Sequence, residues 1–445
     1  MSSTRFAIFY DNLRGSYWFL PAAMAFVAAV VAISLYQLDL AIPNDILYDK
    51  WFVLHQTTDQ ARGSLSLIAT SALGVIGVVF SMTLVALTMA SSQFGSFLLR
   101  AFLRDTGTQT VLGTYSATVV YSICLLLILP YNASNEMVPQ ISITFALILL
   151  LLDLAMLLYY FNHVAISVQA SKVVAVVAKE LGEIIENELK ATPAAPFEDS
   201  EMIRSRNKSI RLEGRAVSAT HSGYIRAFDY DGLTRVANRH GLVFLITRMT
   251  GDFVAGGETL LLAWPGDEAV IDSIAGQVNS MCLTGETRTM LQDPLFGIGQ
   301  LVVVASRALS PGINDPVTAV MCIDRLGEAL GKIVARGERA VHRYDAKKEL
   351  RVIAESYTFD QLAGAAFNMI RQYGRGSAEV LLRMLASIRY IAPFCRTDAQ
   401  RQVLLQHAGL IEADSLSGLQ AEYDRERVRQ SFEETVRAIG LPVTP

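Results

Sequence analysis

Four long apolar runs crowd the first 160 positions of the chain, and beyond residue 162 the pattern breaks into shorter amphipathic and alternating segments. Tyr17 to Tyr36, Leu65 to Met89, Val111 to Leu129 and Val138 to Tyr160 are nearly free of charge. Each is long enough, at about 1.5 Å per residue, to cross a hydrocarbon layer of about 30 Å. The first run has no small-residue cleavage site followed by a polar start, so it reads as an anchor and not as a removable signal. The pattern predicts four transmembrane helices.

After the fourth run, helical periodicity continues through FNHVAISVQASKVVAVVAKELGEIIENELK, and a Pro- and acid-bearing linker, ATPAAPFEDSE, follows. Between Ile210 and Trp264 the runs GYIRAF, LVFLIT and TLLLAW predict short strands, with turn signals at Gly251-Asp252 and Gly256-Gly257. A small β-barrel or sandwich is expected there. From Asp267 onward helices dominate, apart from one charged hairpin around Arg343 to Arg351. The expected fold class is an α-helical membrane bundle of four transmembrane helices, followed by a cytoplasmic α+β region with that β module and a helical domain. The boundaries fall at 1–161 for the bundle, 162–208 for a connecting helix and linker, 209–265 for the β module and 266–445 for the helical domain.

Charge placement predicts the orientation, because Lys and Arg close to a span resist translocation. Arg5 and Arg14 precede the first run, and Arg100 and Arg104 lie between the second and third. The opposite loops hold Asp39, Asp45, Asp49 and Asp59 against a single Lys50, and only Glu136, although Arg62 follows at the span edge. Both termini are expected in the cytoplasm of a bacterium, with the bundle in the inner membrane and Tyr17, Trp18, Trp51 and Tyr159 at its interfaces.

Composition narrows the function classes. The chain of 445 residues is 52% hydrophobic with a net charge of −4, which gives no basis for nucleic-acid binding. Cys124, Cys282, Cys322 and Cys395 stand far apart, and His55, His163, His221, His240, His342 and His407 read as scattered single residues, so no metal site is expected. No P-loop, GxSxG elbow or kinase motif set occurs, and neither enzymatic activity nor a cofactor is expected.

The second run carries the most information. At about 100° per residue, Gly63, Ser66, Thr70, Gly74, Gly77, Ser81, Thr88 and Ser92 fall on one face, interrupted at one level by Leu84 and Val85. Such a face either lets a neighbouring helix approach closely or lines a water-filled path whose apolar level closes by dewetting. Phe94 points the other way and reads as a packing residue. Ala22, Ala25, Ala29 and Ala32 give the first run a second small-residue face. Asp153, alone in the fourth run, must be neutral, paired or wetted; it either handles a proton or cation or forms an interhelical hydrogen bond. In the C-terminal region GETRTMLQDPLFGIGQLVVVASRALSPGINDPVTAV breaks a helix after Leu309 and starts the next with Asp315 as cap and Pro316 in the first turn. Arg288, Asp293, Arg307, Asn314 and Asp315 are candidates to converge on an anion or to clamp two subunits; the alternative is a hydrogen-bonded brace.

The segment FSMTLVALTMASSQFGSFLLRAFLRD, the strand SGYIRAFD, GDFVAGG and SRALSPGINDPVTA, in that order, resemble the bacterial predicted membrane protein family known as domain of unknown function 2254. The resemblance runs from about Arg14 to about Tyr390 and implies no catalytic or binding residue. Taken together, these features lead us to expect a homo-oligomeric ion channel in the lipid bilayer, lined by the second helix and passing cations. The alternative is a membrane-anchored scaffold or sensor whose cytoplasmic domain binds a partner.

Overall fold

The computed structural model describes residues 17–42, 56–95, 105–129, 138–190, 200–336 and 342–440. Arg5, Arg14, Arg100, Arg104, Asp45, Asp49, Lys50, Trp51, His55 and Glu136 lie outside the described residues. The chain divides into two compact units, residues 1–172 and 173–445.

The first unit contains α1 (Phe19–Ala41), α2 (Thr58–Phe94), α3 (Thr106–Ile128) and α4 (Gln140–Ser167), each with a stretch long and apolar enough to cross a membrane. Two of the four starts, those of α2 and α3, lie ahead of the apolar runs where polar caps set them. Thr57 and Gln60 form a reciprocal capping box that starts α2, and Asp105 accepts the Thr108 amide to start α3. The 37 residues of α2, at about 1.5 Å each, exceed what a hydrocarbon layer of about 30 Å requires, so the helix tilts or projects from it.

The third helix is the centre of the bundle and packs against the other three. One cluster joins Ala28 and Ala32 of α1, Leu65 and Ile68 of α2, Tyr121 and Leu125 of α3 and Ala146 of α4; a second joins Ala72 and Val79 to Val111, Tyr115 and Tyr160. The α1 seam is therefore displaced from the expected face. Of the expected face Ala32 is buried, Ala25 and Ala29 are half-buried and Ala22 is exposed, while Ala28 is buried and Met24 and Leu35 pack against the same cluster.

Polar links hold the helix ends. Pro139 gives the first turn of α4 no side-chain cap, and Asp39 of α1 supplies it from afar. Its carboxylate accepts the amides of Ile141 (3.0 Å) and Ser142 (2.9 Å) and the Ser142 hydroxyl (2.6 Å). Asp39 is only 8% exposed and lies within α1, which corrects its placement among the acids of an external loop; Asp59, in the first turn of α2, is exposed. Arg62 donates to the Leu129 carbonyl (2.7 Å), and Gln56 and Gln140 exchange two bonds.

In the second unit, α5 (Ala170–Lys190) and α6 (Ser200–Glu213) precede the strands β1 (Arg215–Ser218), β2 (Gly223–Phe228), β3 (Val243–Ile246), β4 (Phe253–Val254) and β5 (Thr259–Trp264). Helix α7 (Tyr230–Arg239) lies between β2 and β3 in the chain. The stretch assigned to a linker thus ends in helix α6, which runs past residue 209. The β module is neither a closed barrel nor confined to 209–265. Its sheets are open, in the orders β1-β5-β3-β8-β7 and β4-β2-β6, and they take in β6 (Cys282–Gly285), β7 (His342–Tyr344) and β8 (Leu350–Ala354) from farther along. The charged hairpin is present as β7 and β8, and β8 pairs parallel to β3. Val217, Ile225, Phe244, Leu261 and Val352 share one core with Leu233 and Val236 of α7 and Ile274 and Val278 of α8 (Glu268–Met281).

The remaining helices are α9 (Pro294–Ala308), α10 (Pro316–Arg336), α11 (Phe359–Gly374), α12 (Ala378–Ile391), α13 (Asp398–Gly418) and α14 (Glu422–Ile439). Capping boxes at Thr358 with Gln361 and at Thr397 with Gln400 start α11 and α13, and Gly440 (φ 72°) closes α14 in a left-handed turn.

Candidate functional site

Within its own bundle, α2 buries Ala61, Leu65, Ile68, Ala69, Ala72, Val79, Ala86, Ala90 and Phe94. At about 100° per residue these lie opposite the small-residue face. Gly63, Ser66, Thr70, Gly74, Gly77, Ser81, Thr88 and Ser92 are all exposed, and a Cβ added at Gly63, Gly74 or Gly77 would meet nothing within 4 Å. Leu84 (47% exposed) and Val85 (57%) share that outward face. Thr70, Thr88 and Ser92 donate their hydroxyl hydrogens to the carbonyls of Ser66, Val85 and Met89, which leaves oxygen lone pairs directed outward. The stripe therefore plays no part in holding the four helices of one chain together. Among the described residues, its Gly63, Gly74 and Gly77 face open space that a second helix or water could occupy.

The inside of the bundle carries polar groups of its own. Thr114, Thr118 and Ser122 of α3 are buried at successive turns, and Asp153 of α4 is 1% exposed. The i, i+4 spacing of the hydroxyls is visible in TYSATVVYS, although sequence reasoning passed over it. His163, read as an isolated residue, is paired: its Nε2 lies 2.6 Å from Asp105, and the Tyr159 ring stacks on it at 5.4 Å between centroids.

In the second unit the five residues expected to converge fall at opposite ends of α9. Asp293 caps its first turn, accepting the Phe296 amide (2.9 Å), and receives Arg288 through Nε (3.0 Å) and Nη2 (2.6 Å). A Cβ at Gly251 (φ +95°) would strike both partners, so glycine is required where the β4 turn meets them. Burial pushes the Asp293 carboxyl up, against the opposing pull of Arg288. Arg307 lies in the last turn of the helix, and Asn314 and Asp315 lie beyond it. Asp315 caps α10, accepting the Thr318 amide (3.1 Å), its own amide binds the Ala308 carbonyl (2.7 Å), and Asn314 takes the left-handed φ of 50°. Asp293 and Asp315 are thus each engaged locally, as the cap of the helix that follows.

A cavity of about 80 Å³ opens between Ile184 and Ile185 of α5, the Arg248–Thr250 turn, Tyr357 and Phe359. Its wall is mainly apolar, and Tyr357 donates across it to the Thr250 carbonyl (2.6 Å). Burial pushes the Cys282 and Cys322 thiols up to about 12, so neither is a nucleophile at neutral pH. Among the described residues no group of three metal-ligating side chains comes together.

Four membrane-length helices followed by an α+β unit define a multi-span membrane protein. The chain matches the model of the predicted membrane protein family DUF2254 over residues 14–390, and it belongs to that family. It is similar to an uncharacterized protein of Mycobacterium bovis and to one of Mycobacterium tuberculosis, each 27% identical over 444 residues, covering 98% of this chain and 82% of the relative. No solved structure matches it.

Proposed function

We propose that the protein is an oligomeric ion channel or gated pore, lined by α2 of several copies and set in the bacterial inner membrane with both termini cytoplasmic. One observation carries the reading: the small-residue face of α2 is turned away from its own bundle along its whole length, although its glycines and hydroxyls are the groups that a helix contact inside the bundle would use. Copies arranged about an axis would direct that face to a shared path. Leu84 and Val85 would then form its narrow apolar level, closed by the exclusion of water. Cations are favoured over anions on account of Asp59 and, outside the described residues, Asp45 and Asp49.

The scaffold or sensor alternative draws support from the cavity between α5 and the Arg248–Thr250 turn, because a small ligand there would touch both the α+β core and the helix that follows the last span. Leu84→Ser separates the two readings. Reconstituted in planar bilayers, the substituted protein should pass a cation leak that the unsubstituted protein does not. A correctly assembled Leu84→Ser protein that conducts nothing would reject the channel and leave the scaffold.

A further inference from the structure

The interior of the bundle holds an acid that no cation among the described residues neutralises. Asp153 sits halfway along α4, 1% exposed, and neither carboxyl oxygen is in a hydrogen bond. The polar groups near it are directed elsewhere. Tyr115 donates to the backbone carbonyl of Asp153 itself (2.7 Å), and the Thr118 hydroxyl, beside the carboxyl, donates to the Thr114 carbonyl (3.1 Å).

Charged groups on the helices around it are too far away or already committed. Helix α1 carries one, Asp39, bound to the amides of Ile141 and Ser142, roughly 16 Å from Asp153 along α4 at about 1.5 Å per residue. Helix α2 carries Asp59 and Arg62 in its first turns, with Arg62 on the Leu129 carbonyl. Within α3 there is no charged residue, and Tyr115 is the titratable group that faces Asp153 from it. On α4 itself His163 is paired with Asp105. An ionised carboxylate here gives up water and receives no cation in return from the described residues, and the hydroxyl beside it, Thr118, is already donated to the Thr114 carbonyl.

We propose that Asp153 is a proton-binding site inside the four-helix bundle, with the hydroxyl of Thr118 as its polar neighbour. The carboxylate takes up one proton, one O–H bond forms, and no other bond changes. The acid then donates to Thr118 Oγ, whose own hydrogen already points to Thr114. The site lies on the inside of the bundle while the α2 stripe lies on the outside, so it stands whether or not α2 lines a pore.

The test uses the full-length protein in lipid nanodiscs, labelled with carbon-13 at the aspartate carboxyl and examined by infrared spectroscopy at neutral pH. A protonated-carboxyl band is expected that shifts in D2O, is lost in Asp153→Asn and returns at a displaced frequency, outside the label, in Asp153→Glu. Thr118→Val, which removes the acceptor, should shift the band without abolishing it. Equal bands in the unsubstituted and Asp153→Asn proteins would overturn the proposal. If Asp153→Asn does not fold, a protonated-aspartate band unmoved by Thr118→Val, or the absence of such a band, would overturn it equally. Loss of the band when choline is replaced by sodium at constant pH would overturn the proton assignment in favour of a metal cation.

Discussion

The second and third spans have nearly the same mean hydropathy and both carry small and hydroxylated residues at helical spacing, yet the bundle uses them in opposite ways. Helix α2 packs through Ala, Leu, Ile and Val and leaves Gly74, Gly77 and Ser81 outside. Helix α3 lies in the middle, with Gly113, Thr114, Thr118 and Ser122 turned inward. Small residues can thus be the adhesive of a bundle or the part of a helix that the bundle does not touch. Only the second case leaves a face for another copy or for water.

The largest expected effect comes from a matched pair of glycines. A Cβ at Gly113 would strike the Met24 sulfur, whereas one at Gly74 meets nothing within 4 Å. Gly113→Leu should overpack the α1–α3 seam and cost about 1–3 kcal/mol. Gly74→Leu should leave thermal unfolding of the single chain in detergent unchanged and alter oligomer size instead. Equal destabilisation by both would erase the distinction between the two spans.

Next in size is the cap that Asp39 supplies to α4. Asp39→Ala should lower stability by about 0.5–2 kcal/mol, as loss of a helix cap does. Asp59→Ala, at an exposed position, should not change it measurably in the same unfolding assay. A reversed order would return Asp39 to the role of a surface acid.

The smallest contrast concerns hydroxyls. Thr118→Val removes a buried hydroxyl that donates within α3 to the Thr114 carbonyl and that would accept from protonated Asp153 of α4. Losing that second, interhelical bond should cost about 0.6 kcal/mol, typical of side-chain hydrogen bonds between helices in lipid. Thr70→Val, on the outward face, should cost the single chain nothing in unfolding and, if α2 lines a path, should reduce conductance. A Thr70→Val protein as destabilised as Thr118→Val would place that face inside the bundle.

Much of the architecture could be read without coordinates. Asp315 and Pro316 announce the start of α10, GYIRAF and TLLLAW are strands, and the hairpin near Arg343 is present. The sites were less legible. Of the five residues expected to converge, Arg288 and Asp293 form an ion pair, whereas Arg307, Asn314 and Asp315 lie at the other end of the helix that Asp293 caps. The His163 contact with Asp105 joins residues 58 positions apart and has no local signature.

The sequence by itself determined that four helices are apolar and long enough to span a bilayer, and where caps and turns divide the remainder, because those properties depend on residues within a few positions of one another. Tertiary structure alone decided which helix occupies the centre, which alanines form the α1 seam and why Asp39 is buried. It also decided that β8 pairs in parallel with β3, about a hundred residues earlier in the chain. Each of these is a choice between faces or partners of similar local preference, and only packing distinguishes them. The outward turn of the α2 stripe and the enclosure of Asp153 are two such choices, and the proposed pore and the proposed proton site depend on them.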